Sequence, residues 1–160
     1  MQRRALIIGC AIALTACGAT TGTPAPAAKF TTIGGKTFDT ASLKGQVTLI
    51  NFWATSCTTC VKEMPMLIDT YKAFAPKGYR TIAVAMAYDE ELFVKQFAAS
   101  RNMAFDVVYD SDGSIAKAFN DTKLTPTSYL IDKQGNIAKR YVGEPKHDEF
   151  KAAIEGLLKA

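Results

Sequence analysis

An apolar run at residues 5–14 opens the chain, and residues 18–28 follow as Thr, Gly, Pro and Ala with no large side chain to bury. Patterning of a folded domain begins near Lys29. Residues 30–33 and 36–38 flank Gly34-Gly35, which predicts a small hairpin whose glycines supply positive φ. The run 47–53 (VTLINFW) is β-rich and nearly continuous in apolar residues, the pattern of a buried central strand. Residues 58–75 predict a helix with a glycine stop at Lys77-Gly78, and 79–87 (YRTIAVAMA) a second apolar strand. Residues 89–100 predict a helix with Leu92, Phe93, Gln96 and Phe97 at helical spacing. A short strand at 105–109 and a short helix at 114–119 follow. Residues 127–131 and 137–142, separated by DKQGN, carry a hairpin signal. Phe150, Ile154, Leu157 and Leu158 make the core stripe of a closing helix. Strand, helix, strand, helix, hairpin and helix describe an α/β layered fold around a mixed sheet.

The first residues change the count of what folds. Arg3-Arg4, the apolar run and Leu14-Thr15-Ala16-Cys17 have the layout of a secretory signal peptide. The run is shorter than the roughly 20 apolar residues a spanning helix needs. Leu and a small residue ahead of Cys17 resemble the lipobox of bacterial lipoproteins, with an ordinary cleaved signal as the alternative. That gives three parts: a signal at 1–16, an acylated Cys17 with a tether to 28, and one domain at 29–160. The expected location is extracytoplasmic and membrane-anchored, periplasmic in a Gram-negative cell, and Gly18 rather than Asp leans toward the outer membrane. Eleven extended residues, 18–28, would hold the domain up to about 35 Å from the bilayer. Loss of Arg3 and Arg4 leaves seventeen basic residues against fifteen acidic, a net charge near +2 and too dispersed for nucleic acid.

The same partition sorts the cysteines. Cys10 leaves with the signal, Cys17 carries lipid, and Cys57 and Cys60 remain as a pair. An oxidising compartment lets a disulfide persist between them. Cys57 falls where the strand 47–53 gives way to a helix, and unpaired N–H groups and the macrodipole there favour an anion. A lowered thiol pKa gives the attacking thiolate. Two intervening residues place Cys60 one turn on, where it can resolve a mixed disulfide.

FWATSCTTC and the later Thr125-Pro126-Thr127 resemble the active-site segment and cis-proline loop of thioredoxin-fold proteins. Lys44-Gly45, Glu63-Met64-Pro65 and TPTSYLID narrow the resemblance to membrane-anchored reductases of the TlpA/ResA type, over about residues 32–158. The resemblance implies a thioredoxin fold with a central mixed sheet flanked by helices, an N-terminal hairpin and a central insertion at 89–119. It implies a thiol-disulfide oxidoreductase with no organic cofactor and no metal. Cys57 would be the exposed nucleophile and Cys60 the buried resolving thiol. Pro126 would be cis and face the cysteines, and Thr125 would offer backbone hydrogen bonds to an extended client. Glu63 would relay the Cys60 proton, and Trp53 would pack beside the site and, with Thr125 and Pro126, bind the client. The implied partners are client thiols or disulfides, such as apocytochrome c or copper-site cysteines, and a membrane thiol-electron donor. The chain is expected to act as a monomer.

Alternatives stand beside these roles. Two intervening residues close too small a loop for a structural staple, and zinc lacks the four ligands it needs. A Cu(I) metallochaperone using the same thiols is the rival function. Glu63 is equally readable as a first-turn acid favoured by the helix dipole, Trp53 as pure core, Pro65 as a helix bend and His147 as a solvated surface residue. Asn51 stands where thioredoxin has a buried Asp, Ser56 where the family usually has Trp, and Thr58-Thr59 is an uncommon pair between the cysteines. These departures leave the client and the direction of electron flow open.

Overall fold

The strand Val47–Trp53 is buried at every position because the sheet it centres is covered on both faces. The computed structural model describes residues 22–160, so the signal, Cys10 and Cys17 lie outside the described residues. In chain order the strands are β1 (Thr23–Pro24), β2 (Lys29–Thr31), β3 (Thr37–Asp39), β4 (Val47–Trp53), β5 (Tyr79–Ala85), β6 (Asp106–Tyr109), β7 (Thr127–Ile131) and β8 (Asn136–Val142). The helices are α1 (Thr58–Phe74), α2 (Glu91–Ser100), α3 (Ser114–Ala118) and α4 (His147–Lys159).

The main sheet has the order β1-β8-β7-β4-β5-β6, and β2 and β3 pair as the separate hairpin expected from Gly34-Gly35. Strands β4, β5 and β6 run parallel, while β7 is antiparallel to β4 and β8 to β7. On one face Leu49, Trp53 and Ala83 meet Met64 and Leu67 of α1, Val94 of α2, and Phe150 and Ile154 of α4. On the other, Ile50, Phe52, Ile82 and Val84 meet Phe30 of the hairpin and Ile115 and Phe119 at α3. This is the thioredoxin-like arrangement that the motif resemblance implies.

The chain ends α1 in a short 3-10 turn, Ala75–Lys77, and turns into β5 at Gly78, whose φ of 92° is the left-handed stop anticipated there. That turn delivers β5 beside β4 in parallel register, Val47 opposite Tyr79 and Trp53 opposite Ala85. Both strands therefore end at the same edge, where the β4–α1 and β5–α2 loops lie side by side.

Two expectations change. The stretch read as a tether is already part of the fold in its second half. Thr23 and Pro24 pair with Ile137 and Asn136 at the sheet edge, the Ala25 N–H donates to Gly135 O at 2.9 Å, and the Thr40 hydroxyl donates to Pro26 O at 2.8 Å. An edge is where a strand proline is tolerated, because its missing N–H leaves no ladder bond broken. On α2 the face is also different. Val94 and Ala98 are buried and Phe97 half-buried, whereas Leu92 and Phe93 are 61% and 53% exposed. The helix buries a narrow i, i+3, i+4 stripe, and the two large residues at its start fall outside it.

Candidate functional site

The site forms where β4 hands over to α1. Cys57 is the N-cap of α1, and its Sγ accepts the Cys60 N–H at 3.1 Å. The two cysteines are disulfide-bonded, with Cα atoms 5.2 Å apart. Cys57 is half-buried with exposed Ser56, Thr58 and Thr59 around it, whereas Cys60 is 1% exposed. An attacking reagent thus meets Cys57 first. In the reduced state the same N–H and the free first turn of a 17-residue helix stabilise a Cys57 thiolate.

Glu63 continues the buried face of α1 one turn beyond Cys60, among Cys60, Met64, Leu67, Thr70 and Phe74. It is 1% exposed, and neither carboxyl oxygen has a hydrogen-bond partner among the described residues. Burial pushes its pKa from 4.5 up to about 8, and the neighbouring Glu144 adds to the rise. The helix-dipole alternative fails on position and on sign. Glu63 lies past the first turn, and a dipole-stabilised carboxylate would have a lowered pKa rather than a raised one.

The Thr125–Pro126 bond is cis, as the resemblance implies. Thr127 pairs with Phe52, so the residues just ahead of β7 stand at the same sheet end as the β4–α1 loop. Pro126 O accepts the Gly143 N–H at 2.8 Å, and Thr127 Oγ1 donates to Leu124 O at 2.7 Å. Among the described residues no group engages the backbone N–H or C=O of Thr125. That leaves both for an extended chain.

Trp53 does not reach the surface. It is 0% exposed, its ring packs 5.1 Å from Phe97, and its indole N–H has no partner among the described residues. It therefore supports the site from inside the core and has no surface to offer a client. It does share a packed cluster with both cysteines and is the chain's sole tryptophan. Reduction of the pair is expected to change its emission, which a fluorescence titration with dithiothreitol checks. An emission unchanged by reduction would show that the indole does not sense the pair. Asn51 is buried beneath the site, its amide donating to Ser128 Oγ at 2.9 Å. His147 is exposed at the start of α4, and Pro65 is exposed within α1.

Three residues at the site had no sequence signal strong enough to single them out. Asp89 accepts from the Thr55 N–H and the Thr55 hydroxyl, both at 2.6 Å, two residues ahead of Cys57. Tyr88 places its hydroxyl 3.1 Å from Thr125 Oγ1. In the sequence, Asp89 reads only as the start of a helix.

A family model described as Redoxin matches residues 20–157. The thiol-disulfide oxidoreductase ResA of Bacillus cereus is 35% identical over 137 residues, which cover 86% of this chain and 76% of that protein. A Neisseria meningitidis protein described as a thioredoxin superposes with a TM-score of 0.80 at 40% identity, over 86% of this chain and 91% of the other. A thiol:disulfide interchange protein of the thioredoxin family from Chlorobium tepidum gives 0.78 at 30% identity, over 86% and 97%. The paired thiols at the start of α1 and this breadth of likeness agree: the chain belongs to the Redoxin family and is a thiol-disulfide oxidoreductase working through Cys57 and Cys60.

Proposed function

We propose that the protein reduces disulfides in client proteins outside the cytoplasm, held at a membrane through acylated Cys17. The observation that carries this reading is the contrast within the pair: an accessible Cys57 at a helix N-terminus above a sealed Cys60 and a buried Glu63. The Cys57 thiolate attacks one sulfur of a client disulfide, and the other client sulfur leaves as a thiolate that takes a proton from solvent. Ionised Glu63 takes the proton from Cys60. The Cys60 sulfur then attacks Cys57, and the second client sulfur leaves as a thiolate that takes its proton from solvent. The disulfide form of the protein, with Glu63 holding that proton, is the product state. A carboxyl near pKa 8 is poised to give and take a proton close to neutrality.

Thr125 and cis-Pro126 receive the client chain on this account. Suitable clients are the haem-attachment cysteines of apocytochrome c or the thiols of an oxidase copper site. Two electrons and two protons return from a membrane thiol-electron donor. The placement of β1 supports a donor close to the bilayer. Residues 18–22 alone separate Cys17 from β1, an extended reach of about 17 Å, half of what a tether to residue 28 would give.

The test is the reduction potential of the pair, read from Trp53 emission in thiol-disulfide buffers. Thioredoxin stands at about −270 mV and the oxidant DsbA at about −120 mV. A value near the thioredoxin end is the expected result. A value near the DsbA end would reverse the direction and make the protein a disulfide donor. A pair that does not titrate, yet binds Cu(I) tightly, would replace redox catalysis with copper transfer.

A further inference from the structure

The β5–α2 loop touches both walls of the redox site. Asp89 is its fixed point: 7% exposed, holding Thr55 through both carboxylate oxygens, accepting the Glu90 N–H at 2.9 Å, and accepting the Tyr109 hydroxyl on its carbonyl at 2.9 Å. The next residue back, Tyr88, is 60% exposed. A tyrosine that open to water has rotamer freedom to lose, and its hydroxyl has water to bond to. It nevertheless sits with that hydroxyl 3.1 Å from Oγ1 of Thr125, the residue before the cis proline.

Two more large apolar side chains are exposed in the segments that flank Thr125 in the chain and in the sheet. Leu124 is 66% exposed and Val142, which pairs with Thr127, 55% exposed. Tyr88, Leu124 and Val142 are thus exposed side chains with apolar surface in the segments around the free backbone of Thr125.

We propose that Tyr88 is a client-positioning residue. Its hydroxyl fixes Thr125 so that the free N–H and C=O stay aligned. Its ring, with Leu124, forms a wall that favours an extended peptide carrying a large apolar side chain next to its reacting cysteine. This rests on the reading that Thr125 receives the client, and it adds the feature of the client that is recognised. Asp89 fixes the spacing, because one loop ties Thr55 on the Cys57 side to Thr125 on the other.

The experiment uses short linear peptides whose single cysteine is a mixed disulfide with thionitrobenzoate, flanked by Leu or by Ser, and the chain-free disulfide dithiobis(nitrobenzoate). Reduced protein releases the coloured thiol from each. Wild type is expected to prefer the Leu peptide. Tyr88→Phe keeps the ring and loses the bond, and in single turnover is expected to raise the half-saturating concentration of the Leu peptide roughly three- to tenfold while moving the limiting rate, and the rate with the chain-free disulfide, by less. Thr125→Val reproduces that change, the double variant adds nothing, and Thr125→Ser restores the wild-type value. Tyr88→Ala also loses the preference for Leu over Ser. If Tyr88→Phe shifts the peptide and the chain-free reagent by the same factor, or shifts neither, the positioning role is overturned. If wild type itself treats peptide and chain-free reagent alike, the reading of Thr125 as the client's seat falls first.

Discussion

Cys57→Ala abolishes client reduction, lowering the rate by roughly a thousandfold or more, to the level of the free reductant. Cys60→Ser keeps the first attack and stops at a mixed disulfide. The asymmetry follows from position. Cys57 is the half-buried N-cap of α1, where the Cys60 N–H points at its sulfur from 3.1 Å and the first helical turn favours the thiolate. Cys60, 1% exposed on the core face of the same helix, has no line to a client disulfide until Cys57 has brought that sulfur to it. Turnover of insulin disulfides by each variant, with non-reducing mass analysis of trapped adducts, checks both halves. If Cys57→Ala keeps as much as a tenth of the rate, or adducts form through Cys60, the order of the two thiols is reversed.

What the chain disclosed on its own was the part governed by local rules. A nearly continuous apolar, β-rich run such as 47–53 suits a strand covered on both faces, and Gly78 adopts the left-handed φ of 92° that stops the helix ahead of β5. The Cys57–Cys60 spacing at a strand-to-helix junction located the chemistry before any contact was known. The cis Thr125–Pro126 bond came from the resemblance, since nothing in local composition specifies it.

What stayed hidden depended on partners distant in the chain. Thr23–Pro24 has the composition of a linker, and its pairing with Asn136 and Ile137 is set by the edge that β8 leaves open. The start of α2 has two large apolar residues, so a periodicity count favours a face that in fact points to solvent. Asp89 and Thr55 are 34 residues apart, and Tyr88 and Thr125 are 37 apart, so no window along the chain contains either pair. Glu63 is the instructive middle case. Its place one turn after Cys60 was visible, but two opposite electrostatic fates fitted that spacing. The burial of the α1 stripe decides between them.

That burial gives Glu63 a measurable signature in stability against pH. An unfolded chain releases this proton near 4.5, whereas the folded, oxidised protein keeps it until about 8. Between those values the folded state binds one more proton than the unfolded state, so the contribution of Glu63 is fully present below about pH 4.5 and is lost as pH rises toward 8. At about 1.4 kcal/mol per unit, the whole shift amounts to something of the order of 5 kcal/mol, an upper figure for a carboxyl that can draw in water. Glu63→Gln keeps the shape and has no proton to lose. Urea unfolding of the oxidised proteins at pH 5, 6.5 and 8 is expected to give similar stabilities at pH 5. At pH 8 the variant should be more stable by a few kcal/mol. Parallel profiles would mean that Glu63 is solvated or paired, and the proton account would fall with the burial account. Diverging profiles have a kinetic counterpart in the same variant. With no base beneath Cys60, resolution of a client trapped on Cys57 slows while the first attack does not, which separates a proton carrier from a residue that merely fills the core.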